Sequence, residues 1–229
     1  MSGRSMRWIG GGLLVVTLCC TWVASGQTSK YQGAAVAKAG SIAYPPNSRT
    51  PGMVTLDVSV DATGAVVKIM VARDVPPLTS AAQSAVNGWQ FAPAMKGGKA
   101  VPGVVRVNVV FNPFNPGDVS IPTQPLPTPD TGGQLAGVFQ PPDVQAASYA
   151  VYPVNTVASG TVSLDVKVGA DGSVAGTRVL GGEGGTPLSG AATRALRGWT
   201  FVPATYQGQA VASRTVVAYV FVSPAVGTQ

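Results

Sequence analysis

Gly88-Trp-Gln-Phe-Ala-Pro-Ala94 returns further along the chain as Gly198-Trp-Thr-Phe-Val-Pro-Ala204. Upstream, Leu78-x-x-Ala-Ala82 matches Leu188-x-x-Ala-Ala192, and Gly64-Ala-Val66 matches Gly172-Ser-Val174. Gly52-Met-Val-Thr-Leu-Asp-Val58 matches Gly160-Thr-Val-Ser-Leu-Asp-Val166, and Tyr44-Pro45 matches Tyr152-Pro153. The stretch from Tyr44 to Phe111 therefore recurs from Tyr152 to Phe221, with a short insertion near the glycines Gly181 to Gly185. A repeat of roughly 110 residues is too long for a solenoid unit and suits a small domain. The chain reads as two copies of one domain.

In the first copy Val54, Leu56, Val58 and Val60 alternate with Thr55, Asp57 and Ser59. That period of two predicts a strand buried on one face. Val162, Leu164, Val166 and Val168 repeat the pattern against Ser163, Asp165 and Lys167, so Asp57 and Asp165 are expected on a solvated outer face. Asp61-Ala-Thr-Gly64 and Gly169-Ala-Asp-Gly172 are turn chemistry, which predicts second strands over Ala65 to Arg73 and Ser173 to Leu180. Leu78, Ala81, Ala82, Ala85 and Trp89 fall at helical spacing, as do Leu188, Ala191, Ala192, Ala195 and Trp199, with Pro77 or Pro187 suited to the helix start. Trp89, Phe91, Trp199 and Phe201 are expected to pack between helix and sheet. The same reading is given to Tyr44 and Tyr152. Val105-x-Val107-x-Val109-x-Phe111 and Thr215-x-Val217-x-Tyr219-x-Phe221 predict the last strands.

The expected fold class is α+β: two tandem β-β-α-β domains, each a three-stranded antiparallel or mixed sheet with one helix on one face. A right-handed crossover places the third strand beside the first, order 2-1-3, and leaves it as a free edge. The expected boundaries are 1–26 for a leader, 34–113 for the first domain, 114–137 for a linker and 138–225 for the second domain. Each domain is expected to fold alone. The linker carries Pro113, Pro116, Pro122, Pro125, Pro127 and Pro129, has little to bury, and reads as semi-extended.

A basic start (Arg4, Arg7) and an apolar run from Trp8 to Val23 end at Ala24-Ser25-Gly26, which suits signal peptidase, with Gln27 as the first mature residue. The alternative is an inner-membrane anchor through residues 8–23. A lipoprotein is disfavoured because Leu18 precedes Cys19. Both cysteines, Cys19 and Cys20, fall in the leader, which fits export to a bacterial periplasm without disulfides. The formal net charge of +6 is spread singly along the chain, so no clustered face invites nucleic acid. An enzyme is disfavoured by inventory: there is no histidine, and Glu183 in a glycine loop is the one glutamate. A catalytic pairing of Asp57 with Asp165 would require the domains to juxtapose them. No cofactor, metal or small-molecule substrate is expected.

The ordered motifs resemble the C-terminal domain of TonB, the periplasmic end of the system that energises outer-membrane transporters. The pattern includes Tyr-Pro, Gly-x-Val, Asp-x-x-Gly-x-Val, Leu-x-x-Ala-Ala and Trp-x-Phe-x-Pro-Ala. It ends with Gly-x-x-Val, here Gly98 to Val101 and Gly208 to Val211. The resemblance covers roughly Ala34 to Pro113 and Val138 to Pro224. It implies a non-catalytic module that binds an extended segment of an envelope or transport protein by adding it to the free third strand. On that reading the partner-binding residues are Val107, Asn108 and Val109 in the first copy and Val217, Ala218 and Tyr219 in the second. A homodimer is also compatible. Two alternatives stand beside it: a TonB-type energy transducer, or an envelope scaffold whose domain edges pair with each other. The transducer reading lacks the family's membrane-helix histidine. It also lacks a spacer, since the stretch from Gly26 to Tyr44 reaches at most ~60 Å.

Overall fold

The computed structural model describes residues 31–46, 48, 50–112, 119–126, 138–154, 156–182 and 185–223. The first copy comprises β1 (Tyr31–Gln32), β2 (Ala35–Lys38), β3 (Gly52–Val60), β4 (Val66–Arg73), α1 (Leu78–Asn87), β5 (Gln90–Ala92), β6 (Ala94–Lys96), β7 (Lys99–Val101) and β8 (Gly103–Asn112). β9 (Ser120–Ile121) lies between the copies. The second copy repeats the series as β10 (Phe139–Gln140), β11 (Asp143–Ser148), β12 (Gly160–Val168), β13 (Val174–Gly182), α2 (Gly185–Leu196), β14 (Thr200–Val202), β15 (Ala204–Tyr206), β16 (Gln209–Val211) and β17 (Ser213–Phe221). Among the described residues the fold is α+β, mostly strand with two helices. The expected leader, residues 1–26, lies outside the described residues.

The long strands form one six-stranded sheet in the order β13-β12-β17-β8-β3-β4. Within each copy the first strand is central and antiparallel to both neighbours. Between copies, β8 and β17 run parallel, with Val107 opposite Val216, Asn108 opposite Val217 and Val109 opposite Ala218. The expectation of two separate three-stranded sheets with free third edges is thereby corrected: each third strand is the other's partner. The physical reason is that two unpaired edges on one chain satisfy their backbone groups by meeting each other.

The helices cover opposite faces of this sheet. Leu78, Ala82 and Val86 of α1 share a core with Val54, Leu56, Val58, Val105, Val107 and Val109. Leu188, Ala192 and Leu196 of α2 share another with Val162, Leu164, Val217 and Tyr219. The cores also exchange residues across the copies: Val216, Ala218 and Val220 belong to the core of α1, while Met53 and Val110 belong to the core of α2. This arrangement dictates the register. Val107 and its repeat counterpart Val217 point to opposite faces, whereas neighbouring strands set side chains of one face beside each other. Counterparts therefore cannot pair, and the match is displaced by one residue.

The Trp-x-Phe segments are tied to the hairpins that precede the helices. Gly64 (φ +89°) and Gly172 (φ +82°) take left-handed conformations, and a Cβ at either would overlap the carbonyl of Phe91 or Phe201. Phe201 N donates to Gly172 O at 2.9 Å. Beside these glycines, Asp61 Oδ1 accepts from Thr63 N (2.8 Å), Thr63 Oγ1 (2.6 Å) and Ala65 N (3.0 Å). Asp171 Oδ1 likewise accepts from Ser173 N and Ser173 Oγ. These bonds, led by the Thr63 hydroxyl for Asp61 and the Ser173 amide for Asp171, lower both carboxyl pKa values. They are turn residues, as their spacing predicts.

The expected linker is partly structural. β9 pairs with β11, Ile121 is buried in the core of α2, and Gln124 O accepts from Arg73 Nη2 at 2.8 Å. Residues 113–118 and 127–137 lie outside the described residues.

Candidate interaction surface

Val107, Asn108, Val109, Val217, Ala218 and Tyr219 are brought together, but in the middle of the sheet and fully buried. Strand addition to them as free edges is corrected by this placement, because β8 hydrogen-bonds β3 and β17 while β17 hydrogen-bonds β12 and β8. Their side chains serve the seam. Thr55 Oγ1 donates to Asn108 Oδ1 (2.9 Å), Asn108 Nδ2 to Thr215 Oγ1 (3.3 Å), and Thr215 Oγ1 to the Arg106 carbonyl (2.9 Å). This polar ladder crosses from one copy to the other in a site with no water access, so each member must find a protein partner. Tyr219 OH and Trp199 Nε1 both donate to Ser148 O at 3.2 Å.

Asp57 and Asp165 are not solvated. Each is 3% exposed, and they lie on opposite faces of the sheet, so they cannot form a carboxylate pair. Arg106, itself buried, holds Asp57 in a two-point contact at 2.7 and 2.9 Å and stands 3.6 Å from Asp143 Oδ1 of β11. Asp165 takes Arg214 at 3.2 Å and Arg178 at 3.3 Å. The outer faces are covered because each copy's leading segment lies over the sheet of the other. Ile42 N donates to Thr161 Oγ1 (2.8 Å), which returns a bond to Ile42 O (2.9 Å). At the equivalent place in the second copy, Ala150 N donates to Asn112 Oδ1 (2.8 Å) and Ala150 O accepts from Asn112 Nδ2 (2.9 Å). Tyr31 completes the seam, stacked on Tyr206 (4.7 Å between centroids) and tilted on Phe139 (4.9 Å). Burial, followed by the neighbouring Tyr206, pushes the Tyr31 hydroxyl up to about 12.

The repeated aromatic residues are structural, as expected. Tyr44 packs edge-on against Phe111 and donates to Thr50 O, and Tyr152 packs on Phe221 and donates to Ala158 O. Burial raises the Tyr44 hydroxyl to about 12. Trp89, Phe91, Trp199 and Phe201 are all buried in the two cores. Among the described residues no group of three or more His, Cys, Asp or Glu could hold a metal ion, and no helix is long and apolar enough to cross a membrane.

Sequence reading missed Arg106, Asn112, Asp143 and Thr161. Each acts on a residue distant along the chain, and the one available signal was the presence of polar residues, Arg106 and Asn108, inside an apolar strand. Among the described residues β4 and β13 are the outermost strands of the six-stranded sheet.

A six-stranded sheet shared by two repeats, with buried polar contacts along its seam, defines an α+β protein built from a duplicated unit. The chain belongs to the family of the Gram-negative bacterial TonB protein C-terminal domain, whose pattern matches residues 42–113 and 150–222. Members of this family are envelope-associated, and the domain is a non-catalytic protein-interaction domain. No curated protein and no solved structure matches the chain.

Proposed function

We propose that this is a non-catalytic periplasmic scaffold of the cell envelope, exported by a cleaved leader, that binds segments of envelope or outer-membrane transport proteins. The observation that carries this reading is the parallel pairing of β8 with β17. The strand that a single TonB-like domain offers to a partner is consumed within the chain, so partners engage surfaces other than the third strands. The transducer reading is weaker, since a protein that lends its third strand to a transporter would have to open this buried seam first.

A disulfide across the seam tests it. Val109 and Ala218 are directly paired on neighbouring strands, close enough for a Val109→Cys, Ala218→Cys bridge. Envelope partners captured by the unaltered protein are identified by mass and then compared with those of the oxidised variant. Retention of the same partners is expected. Partners lost on oxidation and regained on reduction would instead establish binding to an opened third strand.

A further inference from the structure

The copies differ by one strand. In the second, β11 lies between β14 and β9, whereas in the first, β2 pairs with β5 alone among the described residues. The match is otherwise close. Val36 faces Phe91 and Lys38 faces Gln90, as Val144 faces Phe201 and Ala146 faces Thr200, with an irregularity at the same place in each pair. β9 sets Ile121 opposite Ala147 and Ser120 opposite Ser148, and Tyr149 N donates to Val119 O at 2.9 Å. The repeat puts Ala39, Gly40 and Ser41 where Ala147, Ser148 and Tyr149 stand.

Exposure follows this difference. Ala147 and Tyr149 are buried and Ser148 is half-buried, while Ala39 is half-buried and Gly40 and Ser41 are exposed. Ile121 shares the core of α2 with Val144 and Ala147; the core of α1 contains Val36, with Ala39 at its margin. The tryptophans differ as well. Trp199 Nε1 donates to Ser148 O, but the buried Trp89 Nε1 has no acceptor, although a Cβ on Gly40 would stand 3.6 Å from it. An enclosed indole N–H without an acceptor is costly. Arg73, which binds Gln124 O, anchors the chain just past β9, and its repeat counterpart Gly181 has no side chain to do the same. A Cβ on Gly181 would come within 3.2 Å of Ala39 O, so glycine also leaves room beside this edge.

We infer that the edge of β2 at residues 39–41 receives a short extended segment of another protein, of the Val-Ser-Ile-Pro kind that the second copy seats on its own equivalent edge. The segment adds antiparallel, as β9 does. One of its carbonyls accepts from Ser41 N, a branched aliphatic side chain covers Ala39, and a following proline ends the pairing. Held from its far side, Gly40 brings its carbonyl onto Trp89 Nε1, as Ser148 does for Trp199. A second copy of this chain is a poorer occupant, because its own Ser120 and Ile121 are already paired with β11. With Gly181 in place of an anchoring arginine, the occupant is exchangeable.

This inference rests on the scaffold reading above, and its test separates the two. A fluorescent peptide with the sequence of residues 117–123 is titrated into the purified protein and followed by anisotropy, and amide and indole resonances are recorded by NMR. Binding is expected, with slowed exchange of the Ser41 amide and a shifted Trp89 indole N–H, while Trp199 stays unmoved. The peptide carrying Ile121→Asp should not bind. Ser41→Pro, which removes an exposed donor from the protein, should weaken binding roughly tenfold. New protection at residues 147–149 in place of Ser41, an unmoved Trp89, equal binding of the two peptides, or dimerisation without peptide would each overturn the assignment. Envelope partners that Ser41→Pro captures undiminished would remove β2 while leaving the scaffold reading intact; no partners even for the unaltered protein would remove the scaffold reading itself.

Discussion

Arg106 is the residue on which most of the hidden electrostatics converge. Its two bonds to Asp57 are fully enclosed, so removing it strands a carboxylate in a low-dielectric site. Arg106→Ala is expected to cost about 3–5 kcal/mol in chemical denaturation, the usual penalty for an orphaned buried charge. Replacing the pair together, as Arg106→Met with Asp57→Leu, should recover most of that loss, because the desolvation of both ions disappears along with their attraction. A double variant as unstable as the single one would mean that Arg106 acts chiefly through Asp143. The tyrosines make a separate prediction about alkali. Tyr31 and Tyr44 have folded pKa values raised from 10.0 to about 12 by burial. Above pH 10 the unfolded chain loses these protons while the folded chain keeps them, so stability is held below pH 10 and falls as pH rises toward 12. Melting followed across this window should show the decline, and Tyr31→Phe should make it shallower.

At the scale of elements, the hairpin glycines couple three strands at once. Gly172→Ala should lower stability by about 1–3 kcal/mol for the positive φ alone, and more through the collision with the Phe201 carbonyl. Denaturation of this variant beside Gly208→Ala separates the two effects, since Gly208 also has positive φ but nothing within reach of a Cβ. The elements legible in the sequence were those with a local signature. Alternation located β3, β12, β8 and β17, the turns Asp61-Ala-Thr-Gly64 and Gly169-Ala-Asp-Gly172 located β4 and β13, and helical spacing located α1 and α2 within a few residues. β2 and β11 escaped because Ala-Val-Ala-Lys and Asp-Val-Gln-Ala-Ala-Ser carry no clear period of two, and their pairing with the Trp-x-Phe strands is long-range. The environment of Asp57 was misread for a related reason. Alternation tells which side chains share a face, but the second layer over that face comes from β11 and residues 119–126, far along the chain. The free edge failed likewise, since a third strand has the same local pattern whether or not another strand lies beside it.

For the whole molecule, the seam implies that the copies complete each other. Fragments 34–113 and 138–225 each keep a helix and three long strands, yet each leaves a third strand bare and part of a core uncovered. Mixed in equal amounts, they are expected to form a one-to-one complex on gel filtration with light scattering, and the Asn108–Thr215 contact should reappear as slowed amide exchange in both. Fragments that stay separate would show that the seam contributes little and that the copies are joined by the chain alone.

The parallel junction has a further consequence for a protein present in few molecules. Two strands on separate chains would part as they were diluted, whereas β8 and β17 are held on one polypeptide by residues 113–137. Tethering of this kind corresponds to an effective concentration on the order of millimolar. The six-stranded sheet thus assembles equally well at any expression level, and its melting temperature should not change across a thousandfold range of dilution.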